Sequence, residues 1–118
     1  MKLIGSATEQ KMREELIRSN LSLQGGDYGR LFAALESANV NVVGAYVLNW
    51  IPEQAEDIYA VLVSANEVLI VEVPRGEGEI LLERENIAGY EGKCSKIQKL
   101  KIAVALDLLD SRMSKLFH

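Results

Sequence analysis

Few side chains in this 118-residue chain have the chemistry to act on a substrate, and they are spread thinly. The single histidine, His118, is the final residue, where chain ends fray, so the commonest general base is missing from the interior. Most nucleophilic triads and zinc sites go with it. The single cysteine, Cys94, stands just before a helix-start signal between Lys93 and Lys96. The positive end of a helix and nearby ammonium groups favour thiolate there. With no second cysteine to resolve an oxidised form, the plainer reading is a partly buried thiol without a role. Lys93, Lys96, Lys99 and Lys101 fall within nine residues that contain no acid. They are candidates to seat a phosphate or an acidic partner at a helix N-terminus, or else form a solvated run that offsets the acidic segment before them.

Two further stretches are candidates. Gln24-Gly25-Gly26-Asp27-Tyr28-Gly29 is glycine-rich and precedes a helix, but it matches neither the dinucleotide fingerprint nor the P-loop, so it reads as a turn. Glu72 lies among aliphatic residues, a setting that can make a carboxylate an acid–base group, although its face ends in other glutamates at the sheet margin. The expectation is a protein with no catalytic residues, no metal and no cofactor. Tyr46, Trp50 and Tyr59, with Glu72 close by, have instead the composition of a partner-binding surface, the alternative being ordinary packing beneath helices. Basic neighbours are too few for a platform that stacks nucleic-acid bases.

The element that must position these residues runs from Asp57 to Arg84: DIYAVLVS, EVLIVEVP and EILLER, extended runs broken by Ala65-Asn66 and by Arg75–Gly78. This predicts an antiparallel β-meander. Tight turns would place Ser64 opposite Glu67 and Pro74 opposite Glu79. One face would then hold Ile58, Ala60, Leu62, Leu69, Val71, Val73, Ile80 and Leu82. The other would hold Tyr59, Val61, Val63, Val68, Ile70, Leu81 and several glutamates. Both are too apolar to meet water, so helices, a barrel's own curvature or a partner must cover them. Val42–Ile51 reads as a preceding strand whose register the Pro52–Glu56 loop leaves open. The last strand, with the most charge, reads as a protected edge.

Around the sheet, Ser6–Glu9 has capping-box spacing and predicts a helix to about Ser19, with Met12, Leu16 and Ile17 as its apolar stripe. Asp27 is placed to cap a second helix through Tyr28–Ala38, burying Leu31, Phe32, Leu35 and Ala38 and ending at a left-handed Asn39. Ser95–Gln98 repeats the capping-box spacing before a long helix to about Lys115. Its stripe of Ile102, Leu106, Leu109, Met113 and Leu116 has a second beside it, Ile97, Leu100, Val104 and Leu108. That width suits burial between the sheet and another helix, or a second subunit.

Length and composition agree with one domain over residues 1–118. Hydrophobic content of 48% and two prolines argue against disorder. A formal net charge of -4 and a pI near 5.0 argue against a nucleic-acid partner held by a broad basic surface. No apolar run is long enough to span a membrane, and one cysteine with no signal-peptide pattern points to the cytoplasm.

Asp27-Tyr28-Gly29-Arg30-Leu31, with Leu35 and Ala38–Val42, resembles the turn, helix and second strand of small-molecule-sensing ACT domains. In that family the glycine-bearing turn lies at a ligand-binding interface, so the resemblance implies an anionic metabolite near Gly25–Gly29. It stops at Val68–Val73, strand-like here where an ACT domain has a helix. The expected fold class is therefore α+β: two N-terminal helices, a four-stranded antiparallel meander and a long C-terminal helix packed on it. The expected function is that of a small acidic protein-binding module of the inhibitor, immunity-protein or adaptor type, forming a homodimer or a stable complex with another protein. The alternative is the ligand-sensing domain.

Overall fold

Runs of alternating β-branched and aliphatic residues pair in sequence order to give a four-stranded antiparallel sheet, β1-β2-β3-β4. The strands are β1 (Tyr46–Pro52), β2 (Glu56–Leu62), β3 (Glu67–Pro74) and β4 (Leu81–Asn86). Two helices, α1 (Ala7–Gln24) and α2 (Arg30–Ser37), and a 3₁₀ turn (Val42–Gly44) precede it. A short α3 (Ile87–Glu91) and the long α4 (Lys96–Leu116) follow. The computed structural model describes residues 7–116, so the Ser6 half of the first capping box and His118 lie outside the described residues, as do the side chains of Met113 and Leu116. The α+β meander with a long C-terminal helix on the sheet is the expected architecture.

Register decides the faces, and one turn differs from expectation. β3 and β4 pair as predicted, with Val71 opposite Leu82. Between β2 and β3 the connection is three residues rather than two. Val63 N–H donates to Glu67 O at 3.1 Å, and Ser64 Oγ accepts from Asn66 N at 3.2 Å inside the loop. The pairing is therefore Leu62 with Val68 and Ala60 with Ile70. With a side-chain period of two, that single residue exchanges the faces of β2 relative to β3. Ile58, Ala60 and Leu62 accompany Val68, Ile70 and Glu72, whereas Tyr59 and Val61 accompany Leu69, Val71 and Val73.

Helices cover both faces. Against the first, α1 and α4 bury Met12, Leu16, Ile102, Val104, Ala105 and Leu109 over Tyr46, Leu48, Leu62 and Val68. Against the second, Leu31, Ala34 and Leu35 of α2, with Leu23 from the end of α1, pack on Val47, Val61, Leu69 and Val71. Each fully buried Leu or Val contributes about 1.5–3 kcal/mol of transfer free energy, so both faces contribute to the core. The breadth of the α4 stripe has the same origin. α4 lies against both β1 and α1, and Arg13–Asp107 at 2.8 Å bridges the two helices.

The helix ends also depart from the sequence pattern in part. α1 passes the expected end at Ser19 and continues to Gln24, with Ser19 and Asn20 as buried connectors. Ser19 Oγ donates to Leu16 O and accepts from Val47 N at 3.1 Å. The Asn20 amide, 2% exposed, donates to the carbonyls of Val42, Val43 and Ala45 at 2.9, 3.0 and 2.7 Å. These bonds hold the 3₁₀ turn where a longer strand was expected, so β1 starts at Tyr46. α2 begins at Arg30 with Gly29 (φ 52°) at its N-cap and no side-chain cap, so Asp27 is not the cap. Phe32 and Ala38 are only half-buried. Asn39 does take the left-handed conformation, φ 61°. The segment that resembles an ACT domain is preceded by helix α1 rather than a strand and followed by the 3₁₀ turn. The sequential meander likewise departs from what that resemblance implies.

Candidate functional site

A bulge separates the aromatic residues that the sequence grouped. Between β1 and β2 the partners run Tyr46–Leu62 and Val47–Val61, then Asn49–Ala60 and Trp50–Tyr59, with Leu48 as the extra residue. Tyr46 and Leu48 therefore sink into the α1/α4 core, Tyr46 only 3% exposed. Trp50 is turned to the other face, directly opposite Tyr59, and keeps 56% of its surface in water. Of the four predicted partner-binding residues, Trp50 and Tyr59 come together. Tyr46 is core, and Glu72 lies half-buried on the opposite face, beside Ile70, Leu81 and Glu83 around a depression of about 170 Å³.

Trp50 is held in place. Its indole Nε1–H donates to Asp57 Oδ1 at 3.0 Å, and Arg75 donates to the same carboxylate through Nη2 (2.9 Å) and Nε (3.4 Å). The Arg75 guanidinium, followed by the indole N–H, holds the Asp57 carboxyl below its ordinary value, and the same ion pair raises Arg75. Beneath lies Tyr59, edge-on to Tyr28 with ring centroids 5.8 Å apart. Burial raises both phenols, helped for Tyr59 by the Asp57 charge and for Tyr28 by Asp27. Neither phenol is poised to lose a proton near neutrality.

Three loops meet at this end of the sheet. Arg75 N–H donates to Ala55 O at 3.0 Å, tying the β3–β4 loop to the β1–β2 loop. Arg30, at the start of α2, donates to Pro74 O (2.5 Å), Gly76 O (3.0 Å) and Gly78 O (3.1 Å) and so braces the β3–β4 loop from within. Gly78 (φ 142°) permits that path, since a Cβ there would come within 3.2 Å of Pro74 Cγ. Asp57 and Arg75 were not singled out by sequence as site residues, and Tyr28 and Arg30 only as parts of the glycine-rich, ACT-like turn. The one available signal was a pair of arginines beside glycine-rich segments, and nothing in the sequence says that both segments reach the same end of the sheet.

The other predicted site takes a different form. Ser95 and Gln98 complete their capping box, Ser95 N donating to Gln98 Oε1 (2.8 Å) and Gln98 N to Ser95 Oγ (3.3 Å), so two amides at the α4 start are already satisfied. Lys93 is paired with Glu85, which raises the lysine, and Lys101 reaches Glu15 at 3.8 Å. Lys96 and Lys99 are exposed, Lys99 at a hollow shared with Glu91, Ala103 and Leu106. Cys94 is half-buried with its Sγ donating to Tyr90 O at 3.3 Å. Burial pushes the thiol up, against the activation its position suggested.

Among the described residues no three His, Cys, Asp or Glu side chains gather as metal ligands, and no helix is long and apolar enough to cross a membrane. A groove of about 440 Å³ runs between α2 and β4, lined by Ala33, Ala34, Ser37, Ala38, Ile80 and Leu82. Ser37 is its one polar side chain, so it lacks the convergent polar groups that orient a substrate. Comparison with protein-family models, with curated proteins and with solved structures yields no match to this chain.

Proposed function

We propose that this chain is a non-catalytic protein-binding module that meets its partner through the end of the sheet carrying Trp50. The observation that carries the reading is an indole more than half exposed yet fixed by Asp57 and, through it, Arg75. Exposed tryptophan is unfavourable in water. Immobilised beforehand, it loses little entropy on binding, the property of an interface anchor. The partner is a different protein. Of the two motives for a homodimer, the apolar second sheet face is covered by α2, and the described part of the α4 stripe packs on α1 and β1 except at Ile97, 56% exposed. The unpaired Cys94 fits work in a reducing cytoplasm.

The test is a photo-crosslinking amino acid in place of Ile51, beside Trp50, expressed in the native cell. A control carries it in place of Lys11, exposed on α1. The reading expects one protein adduct specific to position 51 that disappears when Trp50→Ala is added. Adducts that are the same at both positions, or that ignore Trp50→Ala, overturn it.

A further inference from the structure

We infer that the partner presents a basic protein segment to the Trp50 end, with a lysine or arginine side chain against the exposed indole face. This rests on the protein-binding reading above and names the chemistry of the partner. The docking feature is the end of the edge strand β1, where Trp50 and Ile51 are exposed on opposite faces. Strand addition is blunted along this edge. Val47 N–H is taken by Ser19, Trp50 N–H is taken by Asn49 Oδ1 at 3.0 Å, and Pro52 has no N–H to give. Recognition must therefore run through side chains. The indole N–H is already committed to Asp57, so Trp50 offers its ring, and a ring face attracts apolar groups and cations.

Charge chooses between them. The three loops that meet at this end of the sheet, with the starts of β2 and α2, carry six carboxylates, Asp27, Glu53, Glu56, Asp57, Glu77 and Glu79, against two guanidiniums. Both guanidiniums are in use, Arg75 on Asp57 and Arg30 on three loop carbonyls. Among the described residues Asp27, Glu53, Glu56, Glu77 and Glu79 make no ion pair, and all but the half-buried Glu56 are exposed. The excess of four negative charges equals the net charge of the whole chain, so the molecule's acidity is concentrated where its tryptophan is exposed. A cationic segment gains steering from the carboxylates and a cation–π contact from the indole. An acidic protein or a nucleic acid is repelled.

Trp50 is the chain's single tryptophan, so its fluorescence reports this surface alone. The full chain is titrated with two synthetic peptides lacking tryptophan and tyrosine, matched in length and apolar content, one rich in arginine and lysine, the other in glutamate and aspartate. The basic peptide should give a saturable change that weakens about tenfold on raising salt from low to moderate ionic strength. The triple variant Glu53→Gln, Glu77→Gln, Glu79→Gln, checked for an unchanged circular dichroism spectrum, should weaken it by a similar factor. Equal response to both peptides, response to the acidic peptide, or none to the basic one overturns the inference. If the adduct at position 51 persists in that event, the protein-binding reading stands without it. If both fail, the reading falls too.

Discussion

The indole of Trp50 and the carboxylate of Asp57, from neighbouring strands, share a hydrogen bond of 3.0 Å that leaves most of the ring in water. Binding surfaces need such groups fixed before the partner arrives, and here the fixing depends on one carboxylate. Asp57→Ala, which removes the acceptor, should therefore free the indole without unfolding the protein. Its emission should shift to the red and become more accessible to a neutral quencher, while far-UV circular dichroism stays as in the parent chain.

The same bond predicts a pH dependence. Asp57 is held below the 3.8 of an ordinary carboxyl, first by Arg75 and then by Trp50. A depressed folded pKa contributes stability that is complete above the unfolded value and is lost as pH falls through the folded one. Trp50 emission should stay constant from neutrality down to about pH 4 and change below it. In Asp57→Asn the step should vanish. Circular dichroism at each pH separates local release from unfolding.

The α1 connector gives a test of the fold. Asn20→Ala leaves the carbonyls of Val42, Val43 and Ala45 without their donor in a buried site, which costs about 1–3 kcal/mol in urea unfolding. Asn20→Asp should cost more, because it sets a carboxylate against three carbonyl oxygens. Leu69→Ala, in the α2-facing core, should cost about 2–5 kcal/mol.

What was legible in the sequence was whatever depends on residues close together in the chain. Ser95 and Gln98 form the capping box their spacing promised, Asn39 is left-handed, and the glycines of the β3–β4 loop give the expected pairing of Val71 with Leu82. What failed depended on one residue more or less. Ser64 folds into the β2–β3 loop, and Leu48 is the extra residue of a bulge that neither it nor the Asn49 beside it announces. Those two shifts moved Tyr46 to the core and Glu72 to the opposite face from Tyr59. Asp57 and Arg75 are 18 residues apart, and only the folded sheet makes them partners for Trp50.

Cys94 should be a slow nucleophile. Burial raises its thiol, and its Sγ–H is given to Tyr90 O, so less thiolate is present near neutrality than in an unfolded chain. Alkylation by iodoacetamide at pH 7.5 should be slower in the native protein than in urea, the rates converging once the fold is lost. A native rate above the unfolded one would restore the reactive reading that its place before α4 suggested.

Arg30 spans the start of α2 and the β3–β4 loop, so its removal should be felt in the loop rather than in global stability. Arg30→Ala should speed amide hydrogen exchange at Gly76–Glu79 while leaving the core strands protected.

The most direct test of the central claim is calorimetric titration of the protein captured at position 51 against the parent chain, Trp50→Ala and, as a control, Leu21→Ala, whose side chain is 62% exposed on α1. Trp50→Ala should weaken binding by about thirtyfold or more, the loss expected of an interface anchor worth about 2 kcal/mol, with Leu21→Ala within about twofold of the parent. Binding by Trp50→Ala that matches the parent would contradict the claim that this end of the sheet is the binding surface.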